Sequence, residues 1–123
     1  MHMRVILDTN FLIDVVRFKI NLDDISGLVG SHEAITTSSV ISELEKLSSR
    51  GNINSGYAKL ALRLVGKNKI KIIKSDVRPD TVILEISGDD VVAATNDMEL
   101  RKKLKAKGAK SIYLKSKKHL AIG

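Results

Sequence analysis

Cysteine and tryptophan are absent from this chain, proline occurs once, and aromatic residues make up only 3% of it. Without cysteine there is no disulfide and no thiolate metal site, so any bound metal must be held by oxygen or imidazole. The histidines His2, His32 and His119 are too widely separated to show ligand spacing. No apolar run approaches the roughly 18 residues that span a bilayer, and the first strand begins too early for a signal peptide. The expectation is a cytoplasmic protein with no membrane partner. Acids are missing from one end: Leu100 to Gly123 holds nine Lys or Arg and no Asp or Glu, while the rest of the chain has 12 bases against 14 acids. The net charge of +7 is therefore terminal. Such asymmetry points to a polyanionic partner, although a basic segment also serves solubility.

What is present reads as an ordinary globule, with 43% hydrophobic and 28% charged residues. At 123 residues the length suits one domain, 1–123, with a basic C-terminal tail from about residue 115. Arg4 to Asn10, Arg-Val-Ile-Leu-Asp-Thr-Asn, is an apolar β-rich run ending in an acid, a hydroxyl and an amide. It predicts a buried strand that delivers Asp8 to a crevice beyond its carboxyl end, where open α/β sheets bind ligands; as a simple helix cap, Asp8 would do less. Asp90 to Asp97 repeats the pattern and delivers Thr95, Asn96 and Asp97.

Between these strands the periodicity predicts helices over 11–16, 22–29, 40–47 and 56–65, with strands at 33–37 and 70–73. Ser38 or Ser39 is the expected cap of the third helix, and 48–55 reads as a turn. Pro79 opens a helix through Ile86, a further helix spans Met98 to about Lys107, and 111–114 forms a last strand. This alternation implies an α/β fold: a three-layer α/β/α domain around a parallel sheet of about five strands. If the first strand is central and the Asp90 strand lies beside it, Asp8 and Asp97 end about 4.8 Å apart in strand spacing and can share one cation.

Four segments, in order, resemble the PIN domain, a metal-dependent nuclease fold. They are Val-Ile-Leu-Asp-Thr-Asn, Ser-Ser-Val-Ile-Ser-Glu-Leu, Asp-Thr-Val-Ile-Leu-Glu and Ala-Thr-Asn-Asp-Met-Glu-Leu. The likeness covers nearly the whole chain and is greatest to small archaeal-type members that resemble both VapC toxins and ribosomal RNA-processing PIN proteins. It implies a catalytic and metal-binding set of Asp8, Glu43, Asp80 and Asp97. Glu99 is a further candidate ligand, or a first-turn helix acid. Helical periodicity alone does not separate Glu43 from Glu45; the family pattern selects Glu43. Asp89 and Asp90 imitate the motif but fall roughly 20 Å from Asp97 at strand rise, so they read as a turn. Many relatives carry two acids where this chain has Pro79-Asp80, which implies weaker binding of a second metal.

Clustered carboxylates suit a hard cation, so the expected cofactor is one or two Mg²⁺ or Mn²⁺ ions activating water against a phosphodiester. Asn10 and Thr95 are expected to orient carboxylates, and Asn96 to serve as a turn residue. Arg101, Lys102 and Lys105 fall within about 100° of one another on their helix and, with Lys115, Lys117 and Lys118, form the expected nucleic-acid contact. With so few rings, base stacking is expected to matter little, and Tyr113 to belong to core or interface.

The resemblance implies an endoribonuclease, RNA as substrate, a protein antitoxin as partner if the chain is a toxin, and a homodimer. Helices 22–29 and 57–65 supply apolar faces for a second copy. The competing readings are a non-catalytic RNA-binding module of the same fold, such as a ribosome-assembly factor, and a phospho-receiver domain. The receiver fits poorly because 70–73 leads to Lys74 and Ser75 rather than to an acid.

Overall fold

The computed structural model describes residues 2–123. Strand β1 (Met3–Leu7) runs into α1 (Thr9–Arg17), then a 3-10 turn (Leu22–Ile25) and a one-turn helix, α2 (Ser26–Val29). Strand β2 (His32–Thr37), helices α3 (Ser38–Ser48) and α4 (Ile53–Lys67), and strand β3 (Lys71–Ile73) follow. Then come α5 (Pro79–Ile86), β4 (Val91–Ala94), α6 (Met98–Ala106), β5 (Ser111–Lys115) and β6 (His119–Ile122).

The six strands form one sheet in the order β3-β2-β1-β4-β5-β6, parallel except for the antiparallel β5–β6 pair. Strand β1 pairs with β2 on one side and β4 on the other, in a register that sets Leu7 opposite Ala94. The chain leaves β1 toward one edge and β4 toward the other, so the sheet has its switch point between these two strands. A crevice opens there, beyond Asp8 and Asp97.

Burial on both faces explains why β1 and β4 read as continuous apolar runs. Val5, Leu7, Val92 and Ala94 pack with Phe11 and Leu12 of α1, Val40 and Leu44 of α3, and Ala58 and Ala61 of α4. Ile6, Val91 and Ala93 point the other way, onto Ile83 of α5 and Leu100 and Leu104 of α6. Phe11 is fully buried, and its truncation to alanine would cost about 3–5 kcal/mol. The three-layer α/β/α architecture is therefore as expected.

Four local features differ from the sequence reading. The sheet has six strands rather than about five, because Leu120, Ala121 and Ile122 pair with Leu114, Tyr113 and Ile112. The segment read as a basic tail is thus half of a hairpin. Its turn holds Ser116 and Lys117 at φ of 56° and 57°, a left-handed conformation that costs each of these residues some strain. Helix α4 begins at Ile53, inside the stretch assigned to a turn, because Asn52 and Ser55 exchange side-chain bonds to each other's amides. Thr37, not Ser38 or Ser39, caps α3 through a bond from the Val40 amide. The segment expected as one helix over 22–29 is a 3-10 turn followed by α2, started by Asn21 accepting from the Asp23 amide.

Candidate metal and nucleic-acid site

Asp8 follows the last residue of β1 and is 6% exposed. Its Oδ1 accepts from the Thr9 amide at 2.9 Å, and its Oδ2 accepts from Thr95 Oγ1 at 2.7 Å and from Asn10 Nδ2 at 3.4 Å. Asn10 Oδ1 in turn accepts from the Asn96 amide at 3.0 Å, and the Asp97 amide donates to Thr95 Oγ1 at 3.2 Å. The loop after β4 is thereby tied to the corner after β1, so Asn10 and Thr95 make the contacts expected of groups that orient a carboxylate.

Asn96 does more than form a turn. Its Nδ2 donates to Asp14 Oδ2 at 2.9 Å, and its Oδ1 accepts from the Leu114 amide at 2.8 Å. One amide side chain therefore joins α1, the β4–α6 loop and β5. Thr9, assigned no role from the sequence, donates its hydroxyl to Glu43 Oε2 at 2.7 Å and fastens α3 to the same corner.

Asp8, Glu43, Asp80 and Asp97, from four separate parts of the chain, line one cleft with Thr9, Asn10, Arg78 and Pro79. Glu45 does not line it, so the geometry separates the two glutamates that helical periodicity left equivalent. Glu99 lines the adjoining hollow with Asp80, Asp97, Glu85 and Lys103. Asp97 caps α6, with Oδ1 accepting from the Glu99 and Leu100 amides at 2.9 and 3.1 Å. Asp80, in the first turn of α5, stands 3.6 Å from the Arg78 guanidinium; the arginine is largely exposed and the carboxylate about half so.

Of the expected basic residues, Arg101, Lys102 and Lys105 line a separate hollow on the far side of α6, with Met98, Tyr113 and Gly123. Lys103 and Arg78, which the sequence reading passed over, are the cations beside the acids. Lys115, Lys117 and Lys118 are exposed around the β5–β6 turn, where the Lys117 ammonium lies 5.7 Å from the Phe18 ring centre.

Among the described residues, no cationic side chain pairs with Asp8. The Asp8 carboxyl is pushed above its ordinary range, chiefly by burial; the bonds from Thr95 and the Thr9 amide act against this, and the nearby Glu43 and Asp97 add to it. Among the described residues, the only ion pair to the four acids is the exposed one between Arg78 and Asp80. Among the described residues, no three acids or histidines stand close enough together to hold a metal ion between them. An all-oxygen donor set with open coordination nevertheless fits a hard, hydrated divalent cation. Mg²⁺ characteristically keeps several waters and uses one or two carboxylates.

An α/β/α sheet with four carboxylates around its switch point defines a class, that of α/β domains with an acidic cleft beyond their strand ends. Within that class this chain belongs to the PIN-like domain family, whose model, described as "PIN like domain", matches residues 5–117. It is 33% identical to Ribonuclease VapC4 of Methanocaldococcus jannaschii over 127 residues, covering 97% of this chain and 95% of that protein. In three dimensions it resembles the PIN domain endonuclease Utp24, with a TM-score of 0.78 and 23% identity over 97% of this chain and 90% of that one. It also resembles a chain of VapBC2 from Rickettsia felis, solved with a promoter DNA fragment. That likeness has a TM-score of 0.53 and 16% identity over 82% of this chain and 92% of that one.

Proposed function

We propose that this protein is a divalent-metal-dependent endoribonuclease. One observation carries the reading: Glu43, Asp80 and Asp97 line one cleft with a buried, hydrogen-bonded Asp8 that pairs with no cation among the described residues. Family membership and the likeness to Ribonuclease VapC4 support RNA cleavage as the activity. Asp8 and Asp97 are the central ligands, Glu43 and Asp80 complete the set from α3 and α5, and Glu99 lies at its margin. A Mg²⁺ or Mn²⁺ ion held there would activate water and neutralise charge developing on the phosphodiester.

The chain's own groups fix the geometry. Thr95 and Asn10 hold the Asp8 carboxylate with its acceptor faces in a set direction, and Thr9 restrains Glu43. Arg78 and Lys103 place positive charge at the cleft margins, where a phosphate backbone enters. The basic residues on and beyond α6 supply sequence-independent affinity. The likenesses to Ribonuclease VapC4 and VapBC2 support a toxin with a protein antitoxin as partner, and the likeness to the Utp24 endonuclease supports an RNA-processing enzyme as the other reading. Ile53 and Leu60, exposed at 77% and 47% on α4, are the apolar residues that a second copy would cover.

Cleavage of a labelled single-stranded RNA panel in Mg²⁺, Mn²⁺ or EDTA, with Asp97→Asn beside the wild type, tests the reading. Metal-dependent cleavage that EDTA and Asp97→Asn both abolish is expected. Salt-sensitive binding without cleavage, unchanged in Asp97→Asn, would instead identify a non-catalytic RNA-binding module.

A further inference from the structure

Helix α6 has two unlike flanks. One turns Glu99 and Lys103 toward the acids; the other carries Met98, Arg101, Lys102 and Lys105, at the i, i+3, i+4 and i+7 spacing that puts them on one face. On this second flank the Arg101 guanidinium lies over the Tyr113 ring, 3.5 Å from its centre. Its Nε donates to Ser111 Oγ at 3.3 Å, and its Nη1 lies 3.6 Å from Met98 Sδ. A surface arginine ordinarily loses much rotamer freedom when it binds a ligand. Here the ring, the hydroxyl and the thioether already fix the guanidinium plane. Met98 beside it is 62% exposed and belongs to neither hydrophobic cluster of the core.

Met98, Arg101, Lys102, Lys105 and Tyr113 line a hollow of about 280 Å³ together with the backbone of Gly123, and its three charged side chains are all cationic. That volume is just under the range for drug-sized ligands, so it suits one base or nucleotide rather than a folded RNA element. We propose that this ledge is a base-binding subsite: one unpaired nucleobase of the RNA strand stacks on the outer face of the Arg101 guanidinium against Met98. Lys102 and Lys105 hold the phosphates on either side of it. Tyr113 acts as the backing plate. Single-stranded RNA is recognised in this manner, with splayed bases stacked on aromatic rings or arginine planes. Met98 follows Asp97 directly, and Arg101 lies about one turn further along α6 on the flank away from the acids, so the subsite serves a nucleotide that has crossed the start of α6 from the cleft. Ring scarcity is thus no guide to base recognition in this chain, because a guanidinium supplies the plane.

The proposal rests on the nuclease reading but has its own readout. Fluorescence anisotropy in EDTA, where metal-dependent cleavage is arrested, would measure binding of the wild type, Arg101→Lys and Tyr113→Leu. The probes are labelled single-stranded RNA and a series of the same RNA with one abasic residue at successive positions. The wild type should lose roughly tenfold in affinity at one abasic position. Arg101→Lys, which keeps the charge and loses the plane, should bind intact RNA with the same salt slope and show no further loss at that position. Tyr113→Leu should behave likewise. A wild-type loss that persists undiminished in both variants would overturn the subsite, as would no position-dependent loss at all. A wild type that cleaves RNA yet gives either result leaves the nuclease standing and removes only the ledge. One that neither binds nor cleaves RNA overturns both.

Discussion

Asp8 and Asp80 line the same cleft and are held in opposite ways. Asp8 is 6% exposed and receives three hydrogen bonds from residues on both sides of the sheet's switch point. The Asp80 side chain is 45% exposed; it accepts from the neighbouring Thr81 amide at 3.0 Å and meets only the solvated Arg78 beyond that. A carboxylate in the first situation has its direction set before any ligand arrives, at the cost of a desolvated negative charge. One in the second can swing toward whatever enters and contributes little until it does. The cleft thus pairs a rigid wall with an adjustable one.

The sharpest way to break this comparison is Asp8→Asn, which retains the shape and removes the charge from the fixed wall. Cleavage is expected to fall by about 10³-fold or more, measured as single-turnover rate on labelled RNA at saturating Mg²⁺. Asn96→Ala comes next, because it releases the strap between α1, the β4–α6 loop and β5 without altering any of the four cleft acids. A loss of about 10–100-fold is expected, with a raised metal requirement in a Mn²⁺ titration. Asp80→Asn should cost only about tenfold and be largely recovered by added metal; a loss as large as that of Asp8→Asn would erase the distinction between the walls.

The smallest effect concerns stability. Because burial raises the Asp8 pKa, the folded protein retains that proton to higher pH than the unfolded chain does. Stability therefore falls as pH rises from the ordinary carboxylate range through the raised value, and stays lowered above it. In EDTA at pH 7, Asp8→Asn should melt above the wild type, and the difference should close below about pH 4. Mg²⁺ should reverse the order at neutral pH by stabilising the wild type alone.

The two ends of this site differed in how plainly the sequence announced them. Asp8 and Asp97 were legible because an apolar run that stops on polar residues is a local signal; strand and helix alternation implies that β1 and β4 run parallel, while their adjacency and register come from the folded sheet. Glu43 was not separable from Glu45 by periodicity, since both flank a buried stripe; the Thr9 hydroxyl that engages Glu43 comes from a residue 34 positions away. Asn96 looked like a turn residue because its three partners lie on segments that only the completed sheet brings together. The hairpin partner β6 was hidden by its own basic turn, where Lys117 and Lys118 mask a short apolar alternation. Arg101 was read by charge alone, since nothing local shows that Ser111 and Tyr113 of β5 would pin it.

Gly123 has a practical consequence. Its amide donates to the Ser111 carbonyl at 3.0 Å, and its own carbonyl accepts from the Ser111 amide at 3.2 Å. Its backbone is thus zipped into the sheet at the rim of the Arg101 hollow. Anything joined to that carbonyl, whether further natural residues, a purification handle or a fluorescent protein, starts at the mouth of that hollow. Fusions for binding work therefore belong at the other terminus, and a C-terminal peptide of acidic composition would be a tethered competitor for the very surface it was meant to report on.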